Sequence, residues 1–194
     1  MVSAWPLATF DHRLAMRFLR VYSHPTERVF DAVSTGAQLD AWMLPECRVE
    51  RRMGGAWSMS FANPDPSKVV TGAILAWRPP FLVDYGGMRF ELQGLSNGGC
   101  RLDFIQSFAD GDQIEPRDGP GEDQPAGPTS PWRPGLLAGF HMMLDGLGRF
   151  LDGGPDPIPF IDGVHAYHRG AQSNDDLAMT ALYREHIAEH CPAR

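Results

Sequence analysis

The sequence predicts an α+β protein in which a curved antiparallel β-sheet lies against one long C-terminal α-helix. Three observations carry this. Between residues 56 and 108, apolar and polar residues alternate in short runs separated by turn residues, the period-2 pattern of half-buried antiparallel strands. Residues 135–152 then change to apolar spacings of three and four, which fit one face of a helix. Finally, 194 residues with 43% apolar and 21% charged side chains suffice for one buried core and not for two full domains.

The elements follow in order. Residues 16–22 read as a strand, with Phe18, Val21 and Tyr22 favouring extended chain. Pro25 suits the first turn of a helix, with Ser23 or His24 as its cap and Glu27 near its positive end. Val29, Phe30 and Val33, then Leu39 to Trp42, predict that helix and a short second one, broken near Gly36. Gly54-Gly55 reads as a bend or bulge that curves the sheet; a phosphate loop is unsupported because no G-K-S/T context follows. Residues 56–61 place Trp57, Met59 and Phe61 on one face, and Asn63-Pro64-Asp65-Pro66 turns the chain. Residues 69–77 form a strand stopped by Arg78-Pro79-Pro80. Strands at 81–85 and 88–93 are joined by Gly86-Gly87, the second with Met88, Phe90 and Leu92 inward. After the turn Asn97-Gly98-Gly99, a last strand at 100–108 presents Leu102, Phe104, Gln106 and Phe108.

Residues 109–134 are acidic and rich in Pro and Gly, with Trp132 the one aromatic residue, and read as a long loop that is either a lid or a disordered excursion. The helix after it gathers Leu137, Phe140, Leu144, Leu147 and Leu151 in one stripe and stops at Gly153-Gly154-Pro155. An irregular connector at 156–170 leads to a more polar helix at 175–190, capped by Ser173 or Asn174.

Charge and cysteine usage narrow the function. The net charge of −7, with Lys68 the only lysine and no basic run, excludes nucleic acid as the expected partner. Three well-separated cysteines, Cys47, Cys100 and Cys191, fit a reducing compartment rather than a disulfide framework. No signal-peptide pattern opens the chain and no apolar run reaches the ~18 residues of a membrane span. A cytoplasmic protein with no membrane partner is expected.

Each candidate site competes with a plainer role. Trp42, Trp57, Met59, Phe61, Trp77, Tyr85, Phe90, Phe104, Phe108, Phe140 and Leu144 are a set able to line an apolar pocket, or simply to pack a core. Gln106 interrupts an aromatic face, so its amide meets either the protein or a polar ligand group. His141 borders the helix stripe with Asp145 at i+4, a spacing by which a carboxylate orients an imidazole for general-base work. Yet Asp145 also has Arg149 at i+4, an ordinary surface pair, so a structural or binding histidine outweighs a catalytic one. His186-Ile187-Ala188-Glu189-His190 spells H-x-x-E-H, but its position at the end of a polar helix, with only Cys191 as a further ligand, argues against a zinc site. No metal and no cofactor are expected.

The segments Pro25-Thr26-Glu27-Arg28-Val29-Phe30-Asp31-Ala32, Leu39-Asp40-Ala41-Trp42, Met53-Gly54-Gly55-Ala56-Trp57 and Gly72-Ala73-Ile74 occur in series. Pro79-Pro80-Phe81-Leu82, Gly98-Gly99-Cys100-Arg101-Leu102 and Gly139-Phe140-His141 through Leu144-Asp145 continue it. This ordered set resembles the SRPBCC (START/Bet v-like) superfamily, in particular bacterial proteins similar to the C-terminal domain of the heat-shock chaperone ATPase activator. The resemblance implies a helix-grip fold over residues 14–153, with 154–194 a C-terminal helical extension. It leaves function open among ligand carriers, polyketide cyclases, hydrolases and chaperone regulators. With no chaperone-binding domain ahead of residue 14, direct chaperone activation is not the expectation.

Three functions are therefore carried forward. The first is a binding protein for a hydrophobic or aromatic small molecule held between sheet and helix, with Gln106 and His141 as its sparse polar positions. The second is a cyclase- or hydrolase-like enzyme using the same cavity, with His141 positioning or deprotonating the substrate. The third is a protein-interaction module using the loop at 109–134, the terminal helix offering a surface for a homodimer.

Overall fold

The computed structural model describes residues 7–10, 13–44, 46–60, 69–107, 134–154, 160–161, 164–165 and 181–185. Two strands, β1 (Leu7–Phe10) and β2 (Arg13–Tyr22), precede the helices α1 (Thr26–Ser34) and α2 (Gly36–Trp42). Seven strands follow: β3 (Arg48–Val49), β4 (Ala56–Ser60), β5 (Val69–Ala73), β6 (Ala76–Arg78), β7 (Leu82–Asp84), β8 (Met88–Gly94) and β9 (Cys100–Ser107). The long helix α3 (Pro134–Leu151) comes next, and then a hairpin of β10 (Phe160–Ile161) and β11 (Val164–His165). Residues 181–185 are helical.

The strands pair antiparallel in the orders β1-β2-β9-β8-β7-β6 and β3-β4-β5. One bent stretch joins the two sheets. The Ile74 N–H bonds the Gly55 carbonyl at 2.9 Å, whereas the Leu75 N–H, one residue on, bonds Asp84 of the other sheet at 2.8 Å. The strand expected at 69–77 is thus two, β5 and β6, because the chain changes ladders between Ile74 and Leu75. Gly54-Gly55 lies in the turn between β3 and β4, where Gly54 has φ 68° and a Cβ on Gly55 would lie 2.1 Å from the Glu50 carbonyl oxygen.

Helix α1 begins without the expected side-chain cap. Pro25 is the capping residue and no side chain bonds the first turn; the Pro25 carbonyl accepts from the Val29 N–H at 3.1 Å. His24 instead reaches across the molecule to Asp152, beyond the end of α3, at 2.8 Å. At the other end of α1, side chains satisfy carbonyls that the helix leaves open. Trp42 Nε1 donates to Ala32 at 2.9 Å and the Tyr85 hydroxyl to Val33 at 2.8 Å.

The core lies between the sheet and the three helices. Phe18, Phe104, Phe90 and Val83 stand in one row across β2, β9, β8 and β7, all of them buried. Helix α3 packs on β2, α1 and α2 through the buried Leu137, Ala138, Leu144, Leu147 and Leu151, and the Tyr22 hydroxyl donates to its Leu144 carbonyl at 3.0 Å. Phe140, at the margin of that stripe, is half-buried. Asp103 and Ile105, on the opposite face of β9, are also buried. There Arg17 forks onto Asp103, while Arg89 bonds Glu91 at 2.6 Å and Asp84 at 3.1 Å. Since Glu91 lies directly opposite Asp103, these guanidinium groups offset a like-charge pair.

This is the helix-grip arrangement: a bent antiparallel sheet around one long helix. Three additions go beyond the sequence reading: β1, β3, and the β10-β11 hairpin where an irregular connector was expected. Phe61, Phe108, Trp132, the bulk of the loop at 109–134 and the H-x-x-E-H run lie outside the described residues. Among those described, no helix is long and apolar enough to cross a membrane.

Candidate functional site

Aromatic rings run continuously through the space between sheet and α3. Trp57 meets Tyr85 edge-on at 5.7 Å, Tyr85 meets Phe90 at 6.3 Å, Phe90 meets Phe104 at 4.9 Å, and Phe104 meets Phe140 of α3 at 5.3 Å. A branch leaves Phe104 through Phe18 at 6.3 Å, reaches His141 at 6.3 Å and ends on Tyr183 at 5.9 Å. The fold therefore gathers Trp57, Tyr85, Phe90, Phe104, Phe140 and His141 from three strands, the β7–β8 turn and a helix into one row and its branch, with Met59 and Leu144 buried in the same core.

Other expected members stand apart or serve the scaffold. Trp42 is fully buried with its N–H committed to α1, and the Tyr85 hydroxyl is committed likewise, burial pushing its pKa up. Trp77 packs on Phe30 at 5.2 Å under the Arg51 guanidinium, away from the row. Gln106 is half-buried at the end of β9, where its amide donates to the adjacent Ser107 carbonyl at 3.1 Å.

The two ends of the row are polar. At one end, Trp57 lies opposite Gly72 of β5, so close that a Cβ there would sit 2.9 Å from the indole nitrogen. At the other end, His141 Nδ1 is 2.8 Å from the Tyr183 hydroxyl and Nε2 is 3.4 Å from Asp145. Asp145 also faces Arg20 of β2 at 3.4 Å, and not Arg149 as its i+4 spacing suggests. A β2 side chain reaching across the interface wins over a neighbour on the same helix. Burial alone would raise the Asp145 pKa, but the hydrogen bond and charge of His141, with Arg20, outweigh it and hold the carboxyl below its ordinary value. Burial raises the Tyr183 phenol to about 12, so it is a neutral donor at neutral pH.

Three buried side-chain polar atoms among the described residues have no hydrogen-bond partner: Trp57 Nε1, Arg20 Nη2 and Thr35 Oγ1. Two of them mark the two ends of the aromatic row. Sequence reasoning missed Arg20 and Tyr183. Arg20 had a signal, since it interrupts the inward alternation of Met16, Phe18 and Tyr22. Tyr183 had none, because nothing in a polar terminal helix shows which residue turns inward. No group of three or more His, Cys, Asp or Glu gathers to hold a metal among the described residues.

The bent sheet, the long helix and the row between them define a helix-grip protein, and sequence comparison gives its family. The profile of the Activator of Hsp90 ATPase homolog 1-like protein family matches residues 23–119, half of the chain, and the chain belongs to that family. Solved structures share the fold. CalU16 from Micromonospora echinospora superposes with a TM-score of 0.59 at 16% identity, over 96% of this chain and 95% of its own. The conserved protein of unknown function EF2215 from Enterococcus faecalis gives 0.61 at 14% identity, over 94% and 90%. CV1439 from Chromobacterium violaceum gives 0.50 at 23% identity, over 71% and 97%. No curated protein matches the chain.

Proposed function

We propose that this protein binds a hydrophobic, aromatic small molecule between the sheet and α3, in the cytoplasm. The observation that carries the reading is the Trp57 indole N–H, buried and without an acceptor at one end of a row of rings. Leaving such a donor unsatisfied costs roughly 1–3 kcal/mol, and its retention in an apolar wall fits an acceptor oxygen brought by a ligand. Half-buried Trp57, Phe140, Met88 and Met143 border the core and can shift to admit a guest more readily than the fully buried rings. The free thiols of Cys47 and Cys100 suit a reducing compartment.

The catalytic reading of the same space has less behind it. Both ring nitrogens of His141 are engaged by protein partners and its side chain is only 12% exposed, so it holds position more readily than it takes a substrate proton. Chaperone activation, the property in the family's name, is not carried over to this chain.

Native mass spectrometry of freshly purified protein tests the binding reading. A co-purifying small molecule is expected, retained less well by Trp57→Phe, which keeps the ring and loses the N–H. Equal retention by the variant removes Trp57 from the site; the absence of any bound molecule, with no Trp57 fluorescence response to aromatic probes, sinks the reading.

A further inference from the structure

Tyr183 comes from the C-terminal segment and is 1% exposed, yet its described neighbours 181, 182, 184 and 185 are all exposed. Among the described residues of this turn, Tyr183 is the one whose side chain is buried. What it inserts is a p-hydroxyphenyl group at the polar end of the aromatic row. Asp145, an ionised carboxylate, only accepts, so in the neutral imidazole His141 carries its proton on Nε2 and presents Nδ1 as an acceptor. The Tyr183 hydroxyl donates to it at 2.8 Å, with the ring meeting the imidazole at an interplanar angle of 65°. The phenol leaves this end incompletely satisfied, because Arg20 Nη2 stays buried without an acceptor.

We propose that Tyr183 is an intramolecular stand-in for the ligand: the C-terminal segment fills the polar end of the binding space with its own phenol, and an aromatic ligand carrying a phenolic hydroxyl displaces it. This rests on the interior-binding reading above and adds to it a ligand class and a built-in competitor. His141 Nδ1 recognises the hydroxyl of either occupant, and Phe18 packs on the same imidazole edge-on at 6.3 Å. Within the described turn 181–185 the phenol is the one buried side chain, and it exchanges more readily than the core rings, which the sheet and α3 carry.

The test uses the full chain, with p-cresol as the phenol and 4-methylanisole, its methyl ether, as the partner lacking the donor. By calorimetry, Tyr183→Ala should bind p-cresol about tenfold tighter than wild type and about tenfold tighter than it binds the ether, the factor expected of one hydrogen bond to His141. Equal affinity for the two probes would mean a merely apolar hole and overturns the proposal. Tyr183→Phe keeps the ring and covers the case in which the alanine variant does not fold. It should bind p-cresol several-fold tighter than wild type, and affinity at or below wild type overturns the proposal. In wild type, saturating p-cresol should speed tryptic cleavage after the neighbouring Arg184; an unchanged or slower cut means no displacement and also overturns it. Failure of p-cresol with every variant, while a co-purifying molecule persists, sinks the role of Tyr183 alone.

Discussion

Asp145 shows how much one carboxylate on α3 depends on residues remote in sequence. It lies between Arg20 and His141, and its pKa is lower folded than free. A group with a depressed folded pKa adds stability in full above its unfolded value, and that stability is lost as pH falls through the folded pKa. Asp145→Asn should therefore lower the urea midpoint at pH 7, and the gap from wild type should close below about pH 4. The side chain is 44% exposed, so after solvent screening the effect stays within about 1 kcal/mol. A gap that does not narrow at all as the pH is lowered from 7 through the acid range would mean the charge is not what matters. His141 itself was legible, because helical periodicity placed it beside the apolar stripe. Its partners Arg20 and Tyr183 were not, because spacing along one helix offers only local neighbours such as Arg149.

At the scale of elements, two tryptophans and a tyrosine chosen as pocket residues have different duties. Trp42 and Tyr85 close the open carbonyls at the end of α1. Tyr85→Phe leaves the Val33 carbonyl buried without that donor, and should cost about 1–2 kcal/mol in urea unfolding with the aromatic row intact. Trp57 instead depends on β5. It lies flat against Gly72, where a Cβ would fall 2.8 Å from the ring, so Gly72→Ala should lift the indole from its seat. The expected signs are a shifted tryptophan emission, a loss of about 1–3 kcal/mol from overpacking, and weaker ligand retention. An unchanged spectrum would show that the ring has room to spare. Period-2 alternation of residue type made β4, β8 and β9 readable, although only β8 buries a single face, with Ser60 of β4 and Asp103 and Ile105 of β9 buried on the other side. β3 escaped notice at two residues, and β5 and β6 read as one strand because alternation continues through a change of ladder. The missing helix cap has a similar cause: Ser23 and His24 have capping chemistry, but Pro25 takes the capping position and His24 is drawn to Asp152.

At the scale of the molecule, the order of elements was legible and their closure was not. Runs of strands followed by one long helix, with Gly54-Gly55 to bend the sheet, suffice to predict the grip. That the row of rings would begin at Trp57 on one sheet and end at a tyrosine of the C-terminal segment depends on contacts which no local pattern encodes.

The same closure governs the protein's birth on the ribosome. Strand β2 is made early, but the partner of Arg17 lies 86 residues on and the acceptor of Tyr22 lies 122 residues on. At typical synthesis rates β2 waits roughly 4–17 s for β9, with β1 its only strand partner and Met16, Phe18 and Tyr22 uncovered. Long-range pairing of this kind is slow and prone to aggregation. Nascent chains halted before residue 100 should remain open to trypsin at Arg17 and Arg20, and become resistant only once α3 has emerged. Early resistance would mean that β2 finds shelter before its native partners exist.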